Sequence, residues 1–187
     1  MRRVKLFVAM SLDGFMAGPN EEIDWLFADQ DYGLAKFYKS VDTVLIGRKT
    51  YDFMLRHGKK SYKGKQNYVF SRSQKVSDSP DVKYVPQDPA KFVRQIRQSK
   101  GKDIWLVGGG ELFAYLLNRG QVDDIILAVH PTVLGKGTAL FPQRSNPVKL
   151  KLVIHRNFDT GLVVLHYRVQ SKAAKLADVS NQPGRIR

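Results

Sequence analysis

Three short stretches place phosphate-binding residue types where the chain turns from one element into the next. "IGRKT" puts Arg48, Lys49 and the Thr50 hydroxyl directly after Gly47, "FSRS" puts Arg72 beside Ser71, and "VGGGEL" puts Gly108, Gly109 and Gly110 ahead of Glu111 and Leu112. A helix starting at such a junction leaves its first N–H groups unpaired and carries partial positive charge, a combination that binds phosphate. Arginine adds a planar fork of donors and lysine a point charge. Each stretch has a plainer explanation: a tight turn at Gly47 or Gly108, a solvated Arg48. Three together at equivalent junctions fit a cradle for a dinucleotide diphosphate. The spacing is not the usual dinucleotide fingerprint, because "GGGELF" lacks the G-x-G-x-x-G order.

A second group is acidic. "IDWLFADQDYG" surrounds Trp25 with Asp24, Asp29 and Asp31, and "SLDG" contributes Asp13. A carboxylate facing the N–H groups of a heterocycle would orient it and help set its protonation. Helix capping explains Asp29 and Asp31 equally well, and a turn contact beside Gly14 explains Asp13. The chain has no cysteine, and its four histidines, His57, His130, His155 and His166, are scattered without metal-ligand spacing. Thiol chemistry and disulfides are excluded, and no metal site is expected.

The elements that must position these residues follow from periodicity. Residues 3–10 alternate as a strand, with Val4, Leu6 and Val8 on one face. Residues 11–26 are rich in Gly, Pro, Asn and Asp and form a long connection. Leu34, Phe37 and Val41 have helical spacing, "TVLIG" is a β-branched strand, and a helix restarts at Arg48. Strands are predicted at 67–71 and 82–86. Asp88 followed by Pro89 marks a helix start, with Phe92, Val93 and Ile96 as its apolar stripe. "DIWLVG" is an apolar strand. Leu112, Phe113, Leu116 and Leu117 face inward from the helix beyond it, which Asn118 and Gly120 end. Residues 123–134 form a further strand, and 148–158 with 161–170 an antiparallel pair.

Strands alternating with helices imply a three-layer α/β/α domain, with a mostly parallel mixed sheet and antiparallel C-terminal strands. Ligands of such sheets bind beyond the carboxyl ends of the strands, the edge to which Gly47, Ser71 and Gly108 are assigned. One domain spans 1–170. Residues 171–187 lose the strand pattern and are expected to be a short helix or a basic tail.

Composition narrows the partners. Hydrophobic residues make up 43% of 187, ordinary for one compact globular domain. The basic, then apolar start is too short to span a bilayer and lacks a cleavage site, so it reads as the first strand of a cytoplasmic protein. With 31 Lys and Arg against 17 Asp and Glu, the formal charge is +14. Such a surface favours encounter with polyanions, whether nucleic acid, anionic membrane or a phosphorylated small molecule. A solvated basic surface is the plainer explanation. The cations are dispersed and the aromatics follow strand and helix patterns, so a basic nucleic-acid-binding module is the weaker alternative.

Taken in order, "SLDGFMAG", "IGRKTYD", "YVFSRS", "WLVGGGELF" and "GKGTALFP" resemble the dihydrofolate reductase superfamily, and "SLDG" is closer to the branch containing the reductase domain of riboflavin biosynthesis. The resemblance covers roughly residues 1–170. It implies an NADPH-dependent reductase acting on a small heterocyclic or ribosylaminopyrimidine-type molecule, similar to 5-amino-6-(5-phosphoribosylamino)uracil reductase, with folate or pterin reduction as the alternative. By the same resemblance Ala9 and Met16 would line the nicotinamide pocket. Gly47, Arg48, Lys49 and Thr50 would hold the adenosine 2′-phosphate and the diphosphate, Ser71 and Arg72 the adenosine end, and Gly108 to Leu112 the second phosphate-binding turn. Asp13, Asp29 or Asp31 would orient the substrate beside Trp25. Lys65 stands where folate reductases carry a carboxylate-gripping arginine, and could instead meet a substrate phosphate or be one more surface lysine. The branch also implies a homodimer.

Overall fold

Val44, Leu45 and Ile46 are consecutive apolar residues and all three are fully buried, as a strand covered on both faces requires. They belong to β3 (Val41–Gly47), inside an eight-stranded sheet. The structure is a computed structural model that describes residues 1–73, 79–141 and 147–170; the expected tail at 171–187 lies outside them. The other strands of the sheet are β1 (Val4–Ser11), β4 (Gln66–Phe70), β5 (Val82–Val85), β6 (Asp103–Gly108), β7 (Asp124–His130), β9 (Leu150–Asn157) and β10 (Val163–Val169). Their order is β5-β4-β3-β6-β1-β7-β10-β9. The six from β5 to β7 are mutually parallel, whereas β10 pairs antiparallel with both β7 and β9.

Four helices cover the two faces. α1 (Leu34–Ser40) and α2 (Arg48–Arg56) bring Phe37, Tyr51 and Met54 onto the face presenting Val44, Ile46, Val69 and Trp105. α3 (Pro89–Arg97) and α4 (Gly110–Asn118) bring Val93, Phe113, Leu116 and Leu117 onto the opposite face, against Leu6, Leu45, Leu106 and Leu127. α2 joins strands that step one way across the sheet, while α3 and α4 serve steps the other way. Right-handed crossovers put them on opposite faces for that reason. The three-layer mixed architecture is the one the periodicity implies.

Two differences are local. A two-stranded antiparallel ladder joins β2 (Phe15–Ala17), inside the stretch predicted as connection, to β8 (Thr138–Ala139), where the sequence pattern assigns no element. Strands this short show no usable alternation. β7 ends at His130 rather than near 134, because Pro131 has no N–H for the ladder and the Thr132 N–H folds back onto the His130 carbonyl at 2.8 Å. No helix among the described residues is long and apolar enough to cross a membrane.

Candidate active site

β4, β3 and β6 are neighbours, and their carboxyl ends fall together: Gly47 pairs with Phe70, and Ile46 with Gly108. α2 and α4 therefore begin side by side. Their N-caps, Gly47 and Gly109, offer no side-chain acceptor to the first turn. The other two helices are closed: Asp88 accepts the Lys91 N–H at 2.8 Å on α3, and Asp31 accepts the Gly33 and Ala35 N–H groups at 3.1 Å on α1. Among the described helices, the two with open amino termini are the two whose starts meet at this edge.

The glycines make that proximity possible. Gly108 has φ +132°, a conformation that side chains disfavour. A Cβ on Gly47 would stand 3.3 Å from the Gly108 carbonyl oxygen and the Gly109 nitrogen, and a Cβ on Gly109 would stand 3.0 Å from Thr50 Oγ1. The Gly108–Gly109 peptide is cis. A diphosphate fits this cradle in kind, with uncapped amides and cations on the first turn of α2, although Glu111 puts a carboxylate on the first turn of α4.

Those cations have distinct settings. Arg48 donates from Nε to both Asp52 carboxylate oxygens at 2.8 Å, and its guanidinium carbon lies 5.9 Å from the Tyr84 ring centre. Asp52 thus fixes one side of the fork. Lys49 pairs with Glu111 at 2.9 Å, linking the first turns of α2 and α4 through side chains that are both more than 80% exposed. Such an exposed pair adds little stability. Ser71 is buried, and its hydroxyl donates to the Ser73 carbonyl at 3.0 Å; Arg72 is exposed.

The β1 and β7 ends form the second half of the edge. Half-buried Ala9 pairs with Ala128, and Ser11 with His130. Ser11 is fully buried; its hydroxyl donates to Asp13 at 2.6 Å and accepts the Phe15 N–H at 2.9 Å. Asp13 also accepts the Gly135 and Leu134 N–H groups at 2.7 and 3.1 Å, so it ties the β1–β2 turn to the loop after β7. The Ser11 hydroxyl, followed by those amides, holds its carboxyl below the usual aspartate range. Asp29 is held low chiefly by the Tyr32 hydroxyl at 2.6 Å. Met16 in β2 is half-buried against the core. Trp25 donates from Nε1 to the Glu22 carbonyl at 3.1 Å and meets the His130 ring edge-on at 5.3 Å.

Most residues singled out from the sequence therefore gather at the carboxyl edge or in the connection beside it, but not all. Asp13, Asp29, Asp31 and Asp24 are exposed, and Asp31 acts as a helix cap. Lys65 precedes β4 at the opposite edge, where its ammonium donates to the Tyr38 and Val41 carbonyls at 2.7 and 2.8 Å and lies 4.1 Å from the Tyr38 ring centre. It caps the end of α1 and does not reach this site. Residues that sequence reasoning passed over are Asp52, Tyr84 and His130. Asp52 was visible as the i+4 partner of Arg48. His130 carried only a weak signal, one polar residue closing an apolar strand before a proline.

Residues 2–164 match the family described as the RibD C-terminal domain. The uncharacterized protein YyaP of Bacillus subtilis is 36% identical over 178 residues, covering 89% of this chain and 94% of that protein. A putative riboflavin biosynthesis protein from Shewanella superposes with TM-score 0.80 at 21% identity, covering 91% of this chain and all of that one. A Thermotoga maritima deaminase/5-amino-6-(5-phosphoribosylamino)uracil reductase gives 0.71 at 18%, covering 90% of this chain and 57% of that one. Dihydrofolate reductase from Enterococcus faecalis, complexed with NADP(H), gives 0.67 at 13%, covering 90% and 97%. At such identities the structural likeness speaks for the fold.

Proposed function

The chain belongs to the RibD C-terminal domain family, and from that premise we propose that it is an NADPH-dependent reductase of a small heterocyclic substrate of the ribosylaminopyrimidine type. The observation that carries this reading is the pairing of two uncapped helix starts, α2 and α4, across Gly47 and Gly109. Arg48, Lys49 and Thr50 would hold the 2′-phosphate and diphosphate, Ser71 and Arg72 the adenosine end, and Ala9 and Met16 the nicotinamide. When bound, the cofactor supplies a hydride to an unsaturated carbon of the substrate. The protein orients the two partners. Asp13 and Asp29, both held low, are hydrogen-bond acceptors at neutral pH. They can orient substrate N–H groups but not donate a proton, and we assign that proton to solvent.

Lys65 is engaged elsewhere. We therefore assign it neither a substrate phosphate nor a folate carboxylate. The homodimer belongs to the same proposal. β9 is the sheet edge, and its residues Lys151–Asn157 are all exposed, with Leu152, Val153 and Ile154 at the centre. An open edge with an apolar middle pairs with a copy of itself. Titration with NADPH and NADH, followed by nicotinamide fluorescence, tests the main reading. Saturable binding that prefers NADPH supports it, and no binding to either removes it.

A further inference from the structure

We infer that His130 is a positioning residue of this site: its neutral ring accepts the Phe27 N–H at Nε2 and so ties the connection carrying Trp25 to the carboxyl end of β7, and protonation of the ring releases that connection. His130 is 3% exposed and closes β7 on the same face as Ile126 and Ala128, beside Ser11 across the ladder. Nδ1 lies 3.2 Å from the Ala128 carbonyl, which can only accept, so Nδ1 carries the proton. Nε2 lies 3.1 Å from the Phe27 nitrogen, which can only donate, so Nε2 is bare. The two partners assign one tautomer. The Trp25 and Phe27 rings pack on the imidazole with centroids at 5.3 and 5.1 Å. Among the described residues, the other hydrogen bonds of 23–28 run among themselves or to Glu22: Leu26 N–H to Ile23 and Trp25 Nε1 to Glu22. One side chain thus provides both the polar tie and the packing surface for the segment.

The groups facing His130 are the Trp25 and Phe27 rings, the Ala128 carbonyl and the Met10 backbone, and none of them titrates. A proton on Nε2 would point a donor at the Phe27 donor and leave a charge in an apolar pocket. Burial accordingly pulls the ring below its ordinary value of 6.5, with backbone acceptors opposing. The depressed folded value means that the tie is complete above 6.5 and is lost as the pH falls through the folded value.

The link to substrate positioning rests on the reductase reading, but the tie itself does not. Hydrogen exchange at the Phe27 amide in the full chain, corrected for intrinsic rates from pH 7.5 down to 5, measures it directly. Wild type should lose protection as the pH falls through the depressed folded value. His130→Phe should lose it at every pH. His130→Gln, whose side-chain oxygen can accept at similar reach, should keep protection and flatten the profile. A flat wild-type profile, or protection that survives His130→Phe, overturns the proposal; should that variant not fold, the wild-type and glutamine profiles decide. NADPH titration of the same samples separates the two ideas. Intact pH-dependent protection without NADPH binding upholds the tie and removes the reductase reading, whereas NADPH binding with protection indifferent to His130 does the reverse.

Discussion

Gly47 and Gly109 lie in contact, so that a Cβ on Gly47 would stand 3.3 Å from the Gly109 nitrogen. Gly47 has φ −71° and ψ 150°, values open to alanine, so the cost of Gly47→Ala comes from contact rather than backbone conformation. The neighbours are main-chain atoms and cannot rotate away. We expect the substitution to push the starts of α2 and α4 apart, weakening NADPH about tenfold and the fold by about 1–3 kcal/mol. Gly109→Ala should do less, because its neighbour is the Thr50 hydroxyl, which can turn. Fluorescence titration and thermal denaturation rank the pair, and the opposite order would show that the glycine contact does not shape the cradle.

Arg48 should discriminate between the two nicotinamide dinucleotides. Its Nε is held by Asp52, leaving the terminal nitrogens to face a phosphate. Charge-assisted hydrogen bonds of this kind contribute about 1.5–3 kcal/mol, so Arg48→Ala should weaken NADPH roughly 10- to 100-fold. NADH, lacking the 2′-phosphate, should change by less than about threefold on the same argument. Equal losses for both would place Arg48 away from the 2′-phosphate. Asp52→Ala should give a smaller loss of the same sign, since it removes the brace but not the charge.

The gathering of Gly47, Arg48 and Gly108 at one sheet edge was legible because its determinants are local. Gly47 abuts Arg48 in the chain, and Asp88 with Pro89 announces the capped α3 that contrasts with it. The connection beside that edge was less legible because its contacts are remote. Phe27 and His130 are 103 positions apart, and nothing near either residue announces the other. Asp13 meets residues 121 and 122 positions away. Lys65 misled for a related reason: motif order suggested a place near the site, whereas its position just before β4 puts it at the far end of a strand. For Asp31, the capping alternative visible in the sequence describes the bonds it makes.

Acid should open the rim of the site at Asp13. Its carboxyl is held below 3.8, first by the Ser11 hydroxyl and then by the Gly135 and Leu134 amides. A lowered folded value means that the contribution is present above 3.8 and disappears as the pH falls through the lower folded value. At neutral pH the Gly135 amide should be protected from exchange, and Asp13→Ala should expose it with little change in global melting temperature. Protection of Gly135 that persists in Asp13→Ala would show that the loop is held by something else.

Asp124 provides a control at the opposite edge. It is fully buried at the start of β7, with Arg3 Nη2 at 2.7 Å and His166 Nε2 at 2.8 Å. Only Asp124 is buried in this cluster, and Arg3 and His166 remain partly exposed, so Asp124→Ala should cost about 1–3 kcal/mol through lost hydrogen bonds. The cradle lies a full strand length away. The NADPH dissociation constant of the folded variant should therefore stay within about twofold, since distant sites act independently. A large affinity loss in a sample shown to be folded would mean that the two edges are coupled.

Self-association should depend on the centre of β9. The run Lys151-Leu152-Val153-Ile154-His155 is symmetric in character about Val153, and all five side chains are exposed. An antiparallel copy centred there would bring Leu152 of each copy beside Ile154 of the other, across the bulge at Val153, and bury both pairs. The +14 net charge opposes such an association. Added salt should therefore tighten the dimer, contrary to its effect on any electrostatic complex with nucleic acid. Light scattering at micromolar concentrations should give twice the chain mass, shifting to a single mass in Ile154→Lys with unchanged circular dichroism. A monomeric wild type at moderate salt, or a dimer that survives Ile154→Lys, would rule out β9 as the contact.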